Sequence, residues 1–184
     1  MNKQMTNIET KRTKREELIY LYTLESAKVN LELASNIDTP LYILKELSKD
    51  DFYKDILKDN INFKKYRTLS KDIYFRKFDV TEQEFIIKMF RFIKEKQEIK
   101  EEVYEVAIKL NYIPLLEKIA SNINTPSSVL EKLAYNVSFM IRYKVAKNKK
   151  ITKEILELLA KNESYLIRGI VAANKNINLE IIKK

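Results

Sequence analysis

One recurring phrase limits what this chain can fold into. Leu33-Ala-Ser-Asn-Ile-Asp-Thr-Pro40 returns as Ile119-Ala-Ser-Asn-Ile-Asn-Thr-Pro126 and, in reduced form, as Val145-Ala-Lys-Asn148 and Val171-Ala-Ala-Asn174. Ala120, Ala146 and Ala172 follow one another at steps of 26 residues. Self-similarity at such a period marks small supersecondary units that cannot bury their apolar faces alone and must stack on their neighbours. The expected product is an α-solenoid, whose function lies in the side chains its surface displays and not in a deep pocket.

The composition agrees. One glycine and three prolines in 184 residues leave little material for hairpin turns or phosphate-cradling loops. Abundant Leu, Ile, Glu and Lys favour helix, so the fold class is all-α. The chain has no cysteine, which excludes disulfides, a thiolate nucleophile, cysteine-ligated zinc and iron–sulfur clusters. It also has no histidine, the usual general base and the commonest metal ligand. No apolar run is long enough to cross a bilayer, and the first ten residues lack the apolar core of a signal peptide. The reading is a cytoplasmic protein without cofactor or metal.

Aligning the copies shows the unit. Ser138-Phe-Met-Ile-Arg-Tyr-Lys-Val-Ala146 lies over Ser164-Tyr-Leu-Ile-Arg-Gly-Ile-Val-Ala172, which pairs Ile141 with Ile167 and Val145 with Val171 on one helical face. Ser138 and Ser164 stand at the N-cap position. Val129, Leu130 and Leu133 match Ile155, Leu156 and Leu159 in the other half, where Thr125 and Pro126 read as cap and first-turn proline. Asn136 and Asn162 sit where a left-handed residue commonly ends a helix. The unit is helix, turn, helix, with a period of about 26 residues.

Projected backwards, the pattern places a second helix at Ser26 to Ala34 and another at Tyr112 to Ala120. The domain reading is a flexible segment over 1–13 and one domain over 14–184. Within it, N-terminal repeats occupy 14–50, irregular or degenerate repeats 51–100, and C-terminal repeats 101–184. In the irregular stretch, Thr81-Glu-Gln-Glu84 reads as a capping box. Phe85, Met89, and Phe92 or Ile93 continue as an apolar stripe, in one long helix or two jointed near Gln97.

The Ile-Arg-x-x-Val-Ala-x-Asn helix, followed by Asn-Thr-Pro and a Val/Ile-Leu-x-x-Leu helix, resembles the leucine-rich repeat variant, a relative of HEAT and armadillo repeats. The resemblance covers Glu101 to Lys184 and, less fully, Glu16 to Asp50. It implies a right-handed superhelix of short helical units and no particular activity. The cysteine-bound iron–sulfur cluster of one founding member has no counterpart here. A looser likeness to HEAT-like DNA glycosylases carries over the architecture and not the chemistry.

Charge is where function is sought. From Ser138 to Lys184 there are eleven Lys and Arg against four Glu, a net +7 of the chain's +9. Arg142 and Arg168 share one register and Lys149 and Lys175 another, with Lys144, Lys147 and Lys150 close by. Such a cluster can neutralise phosphates and release counterions. Against this, the arginines can tie adjacent units together, Arg142 through Glu163; their register position holds Asn30 and Leu116 in the earlier copies. A second basic tract, Lys64, Lys65, Arg67, Arg76 and Lys77, interleaves with Tyr74, Phe75 and Phe78, and aromatics can stack on unpaired bases. Phe75 and Phe78 also fit a packing role. Asn36, Asn122, Asn148 and Asn174 read as turn residues bonding their own backbone. Acid pairs such as Asp50 with Asp51 lack any accompanying catalytic group, so no enzyme is expected. The functional expectation is a non-catalytic module that binds DNA or RNA by phosphate and shape contacts. The alternative is a protein-binding adaptor or inhibitor that uses the concave face with Tyr143 and Tyr165.

Overall fold

The computed structural model describes residues 14–174, and all regular elements among them are helical. The chain divides into two compact units, Met1–Ile87 and Lys88–Lys184, where the sequence reading has one domain with an irregular middle.

The first unit contains α1 (Lys14–Tyr22), α2 (Ala27–Ser35), α3 (Leu41–Leu47), a 3₁₀ turn (Asp51–Tyr53), α4 (Lys54–Asp59), α5 (Ile61–Leu69), a second 3₁₀ turn (Phe75–Lys77) and the start of α6 (Val80–Lys94). The repeated phrase explains why α2 is short. The side chain of Asn36 accepts the amide of Asp38 at 2.9 Å, and Thr39 donates its hydroxyl to the carbonyl of Leu33 at 2.8 Å. The second bond satisfies a carbonyl that the end of α2 leaves open, the first fixes the turn, and Pro40 then stands at the cap position of α3. Leu18, Leu33, Ile43, Leu44, Leu57 and Phe63 build the core between these helices.

Asn60 is almost fully buried, and its amide donates to the carbonyls of Ala34 and Asn36, each at 3.0 Å. Its oxygen accepts the amides of Asn62 and Phe63 and so caps α5. One side chain thus closes α2 and opens α5.

The second unit contains α7 (Glu101–Leu110), α8 (Ile113–Ser121), α9 (Ser127–Ala134), α10 (Phe139–Ala146), α11 (Lys153–Ala160) and α12 (Tyr165–Ala172). α10 packs against both α8 and α12, and α9 against α11. Leu115, Ile119, Leu130, Ile141, Leu156 and Ile167 are fully enclosed. Asn148 repeats the role of Asn60: its amide donates to the carbonyls of Ala120 at 2.8 Å and Asn122 at 3.0 Å, and its oxygen accepts the amide of Lys150 at 2.9 Å.

Several local readings change. The capping box at the start of α6 is Asp79 with Glu82: Asp79 accepts the amides of Thr81 and Glu82, and Glu82 reaches back to the amide of Asp79. Glu84, read as part of that box, points inward to Arg15. Asn136 and Asn162 do not adopt a left-handed conformation. Each instead accepts the amide two residues on, a turn that needs no positive φ. Ser138 and Ser164 occupy the N-cap position, but their hydroxyls make no capping bond. Thr125 turns back to the carbonyl of Ile119 at 2.6 Å instead of capping α9. The alternative of two jointed helices is the one adopted: α6 ends before left-handed Lys96, with Gln97 bonded to Phe92 and Lys96 to Ile93, a Schellman closure. On α6 the buried positions are Ile86, Ile87 and Met89, while Phe85 and Phe92 are less enclosed.

Candidate functional site

The two arginines best placed by register are fastened to the protein. Arg142 donates Nη1 to the carbonyls of Asn136 at 2.8 Å and Val137 at 3.0 Å, while Nη2 pairs with Glu163. Only 11% of its side chain is exposed. Arg168 repeats the clamp on the carbonyls of Asn162 at 2.8 Å and Glu163 at 3.0 Å, although it lies at the surface. The turn before each helix presents two carbonyls in fixed positions, and a planar guanidinium suits such an acceptor pair. Of the two readings of Arg142, phosphate contact or a tie between copies, its bonds fit the second, through Glu163. Arg142→Ala is expected to lower stability by about 1–2 kcal/mol, seen as a reduced urea midpoint. An unchanged midpoint would show that the clamp adds nothing to stability.

The lysines of the same region are differently placed. Lys147, Lys149 and Lys150 are exposed and Lys144 half-buried, and among the described residues none of the four forms an ion pair. They follow one another along α10 and the turn after it, because Asn148 draws the chain inward between them. Phe139 and Tyr143 stand one helical turn apart with ring centroids at 5.9 Å, and Lys147 lies 5.3 Å from the centre of the Tyr143 ring. Two aromatic rings and one cation therefore follow one another along one side of α10 and its C-terminal end. Lys175 lies outside the described residues.

The first unit holds the other basic tract. Lys64 and Arg67 are exposed on α5 and Lys65 is half-buried, while Arg76 and Lys77 are exposed on the second 3₁₀ turn. Tyr74 is 63% exposed, with Lys77 5.1 Å from its ring centre. Phe75 is completely buried and Phe78 half-buried, so the aromatic available for stacking is Tyr74. By contrast, Lys49, Lys54, Lys58 and Lys132 all pair with neighbouring carboxylates.

The sequence reading overlooked the apolar surface near the start of α10, where Tyr135 is 68% and Val137 89% exposed. Tyr165 is open to solvent as expected, whereas Tyr143 is half-buried. Among the described residues no group of acidic side chains could hold a metal ion, and no helix is long and apolar enough to cross a membrane. Comparison with known proteins finds no protein-family model that matches the chain, no matching curated protein and no matching solved structure.

Proposed function

We propose that this chain is a non-catalytic helical-repeat module that holds a nucleic acid strand through basic and aromatic side chains, acting in the cytoplasm. The observation that carries the reading is the run Lys144, Lys147, Lys149 and Lys150, unpaired with acids and set beside Phe139 and Tyr143. Lys64, Arg67, Arg76 and Lys77 with Tyr74 form a second patch of the same chemistry. Lysines hold the phosphates, and rings stack on exposed bases without reading sequence. The same proposal includes stacking of the two-helix units into a right-handed solenoid like that of the leucine-rich repeat variant. The bonds from Asn148 to the turn one copy earlier support it.

The test is fluorescence anisotropy with single-stranded DNA and RNA from low to moderate salt, comparing the wild type with Lys144, Lys147, Lys149 and Lys150 all changed to Gln. The salt slope is expected to fall by about 3, roughly 0.7 for each phosphate that is no longer neutralised. Affinity should drop about tenfold or more. An unchanged slope sinks the assignment. The exposure of Tyr135, Val137 and Tyr165 favours a protein partner as a second reading, recognised by binding that withstands both nuclease and high salt.

A further inference from the structure

The clamp that holds Arg142 and Arg168 has a counterpart without its arginine. In the register of those two residues the α8 copy carries Leu116, which is fully buried, and the α2 copy carries Asn30. At α2 the position is left polar and open. A half-open hollow of about 480 Å³ stands there, lined by Tyr22, Thr23, Glu25 and Asn30. The side-chain oxygen of Asn30 is shielded from solvent and accepts no hydrogen bond. Arg142 and Arg168 donate to the carbonyls six and five residues before themselves; before Asn30 these belong to Leu24 and Glu25, and no described residue donates to either. Glu25, which is among the lining residues, takes the left-handed conformation at φ 50°, a cost for a residue with a side chain.

The lining supplies acceptors, one negative charge and one aromatic ring, a set that complements a planar cation. The wider charge agrees: residues 14–60 carry seven Lys and Arg against ten Asp and Glu, a net −3 in a chain of +9. We propose that this pocket binds the guanidinium of an arginine side chain from a protein partner, in the place that the chain's own arginine fills in later copies. A rotation of the Asn30 amide turns its unbonded oxygen towards the incoming group. The inference is independent of nucleic-acid binding, which uses other residues.

The experiment titrates the full chain with N-acetyl-arginine amide, followed by amide NMR shifts, with the neutral citrulline analogue and free L-arginine in parallel. Saturable shifts at residues 22–30 are expected, with the citrulline analogue weaker by about tenfold or more. Asn30→Arg should fill the pocket from within, abolish the shifts and raise Tm by about 2–4 °C. Absent shifts, equal binding of the citrulline analogue, or full binding by Asn30→Arg would each overturn the proposal. Tighter binding of free L-arginine than of the capped form would overturn the assignment to a protein side chain. Should Asn30→Arg not fold, Asn30→Leu, which copies Leu116, removes the acceptor, and undiminished binding there also counts against the site.

Discussion

Asn148→Leu is expected to destabilise the second unit by about 3 kcal/mol, measured as a lowered urea midpoint in far-ultraviolet circular dichroism. Leucine has the same number and branching of side-chain heavy atoms, and its bulkier methyl groups add some crowding to a loss that is chiefly one of hydrogen bonds. The carbonyls of Ala120 and Asn122 lose their donor and the amide of Lys150 loses its acceptor, in a place where the side chain is only 4% exposed. Buried groups left unbonded carry the full cost of their desolvation. Asn60→Leu should act alike in the first unit, where the same bonds reach Ala34 and Asn36. Asn122→Leu is the control: its side chain is half-buried and accepts one amide within its own turn, that of Asn124, so its cost is about 1 kcal/mol. Equal costs for Asn148 and Asn122 would show that the bond to the preceding copy adds nothing.

Arg15→Ala is expected to cost the first unit about 3 kcal/mol. Arg15 on α1 makes two bonds to Glu84 on α6, one of them at 3.2 Å, and Glu84 also accepts the amide of Leu41 at the start of α3. The carboxylate side chain is 9% exposed and the guanidinium 44%. The hydrogen bond to Glu84 raises the pKa of Arg15 further above its ordinary value, so the cation is permanent in the folded state. Removing it takes the guanidinium away from a buried carboxylate, whereas Glu84→Gln leaves Arg15 free to be hydrated and should cost less, about 1–2 kcal/mol. Replacing both residues by Met should recover most of the loss, since breaking such a pair is far more destabilising than exchanging it for apolar groups. Thermal unfolding of the three variants reads the order directly. If Glu84→Gln proves the costlier, the desolvation argument is wrong.

The helical class was legible because the chain is poor in turn-forming glycine and its apolar residues recur at helical spacing, and α8 to α12 lie where Leu115, Val129, Ile141, Ile155 and Ile167 place them. Asn36, Asn122 and Asn148 accept amides of their own turns, as expected of a short side-chain amide at a tight turn between helices. Asn60 escaped notice although Asn60-Ile-Asn62 echoes Asn36-Ile-Asp38 and Asn122-Ile-Asn124, because no Thr-Pro follows it and its step from Asn36 is 24 residues. The inward pairing of Glu84 was hidden for a different reason. Its partner is 69 residues away, and an acid three residues after a threonine looks the same in sequence whether it caps a helix or enters a core. The candidate surface was legible as charge and not as geometry: a count of lysines and arginines cannot tell Arg142, sealed over Asn136, from Lys147, which stands clear.

The asparagine bonds also bear on the order in which the chain can be made. The carbonyl end of α8, complete as a segment at Ser121, receives the donor of Asn148 only after about 27 further residues have left the ribosome. α2 likewise ends at Ser35 and waits for Asn60. Chains fold from the N-terminus as they emerge, so the ends of α2 and α8 stay water-bonded and reversible until Asn60 and Asn148 arrive to lock them. At these two places synthesis works like a zip, in which a finished tooth is secured only by one that comes well behind it.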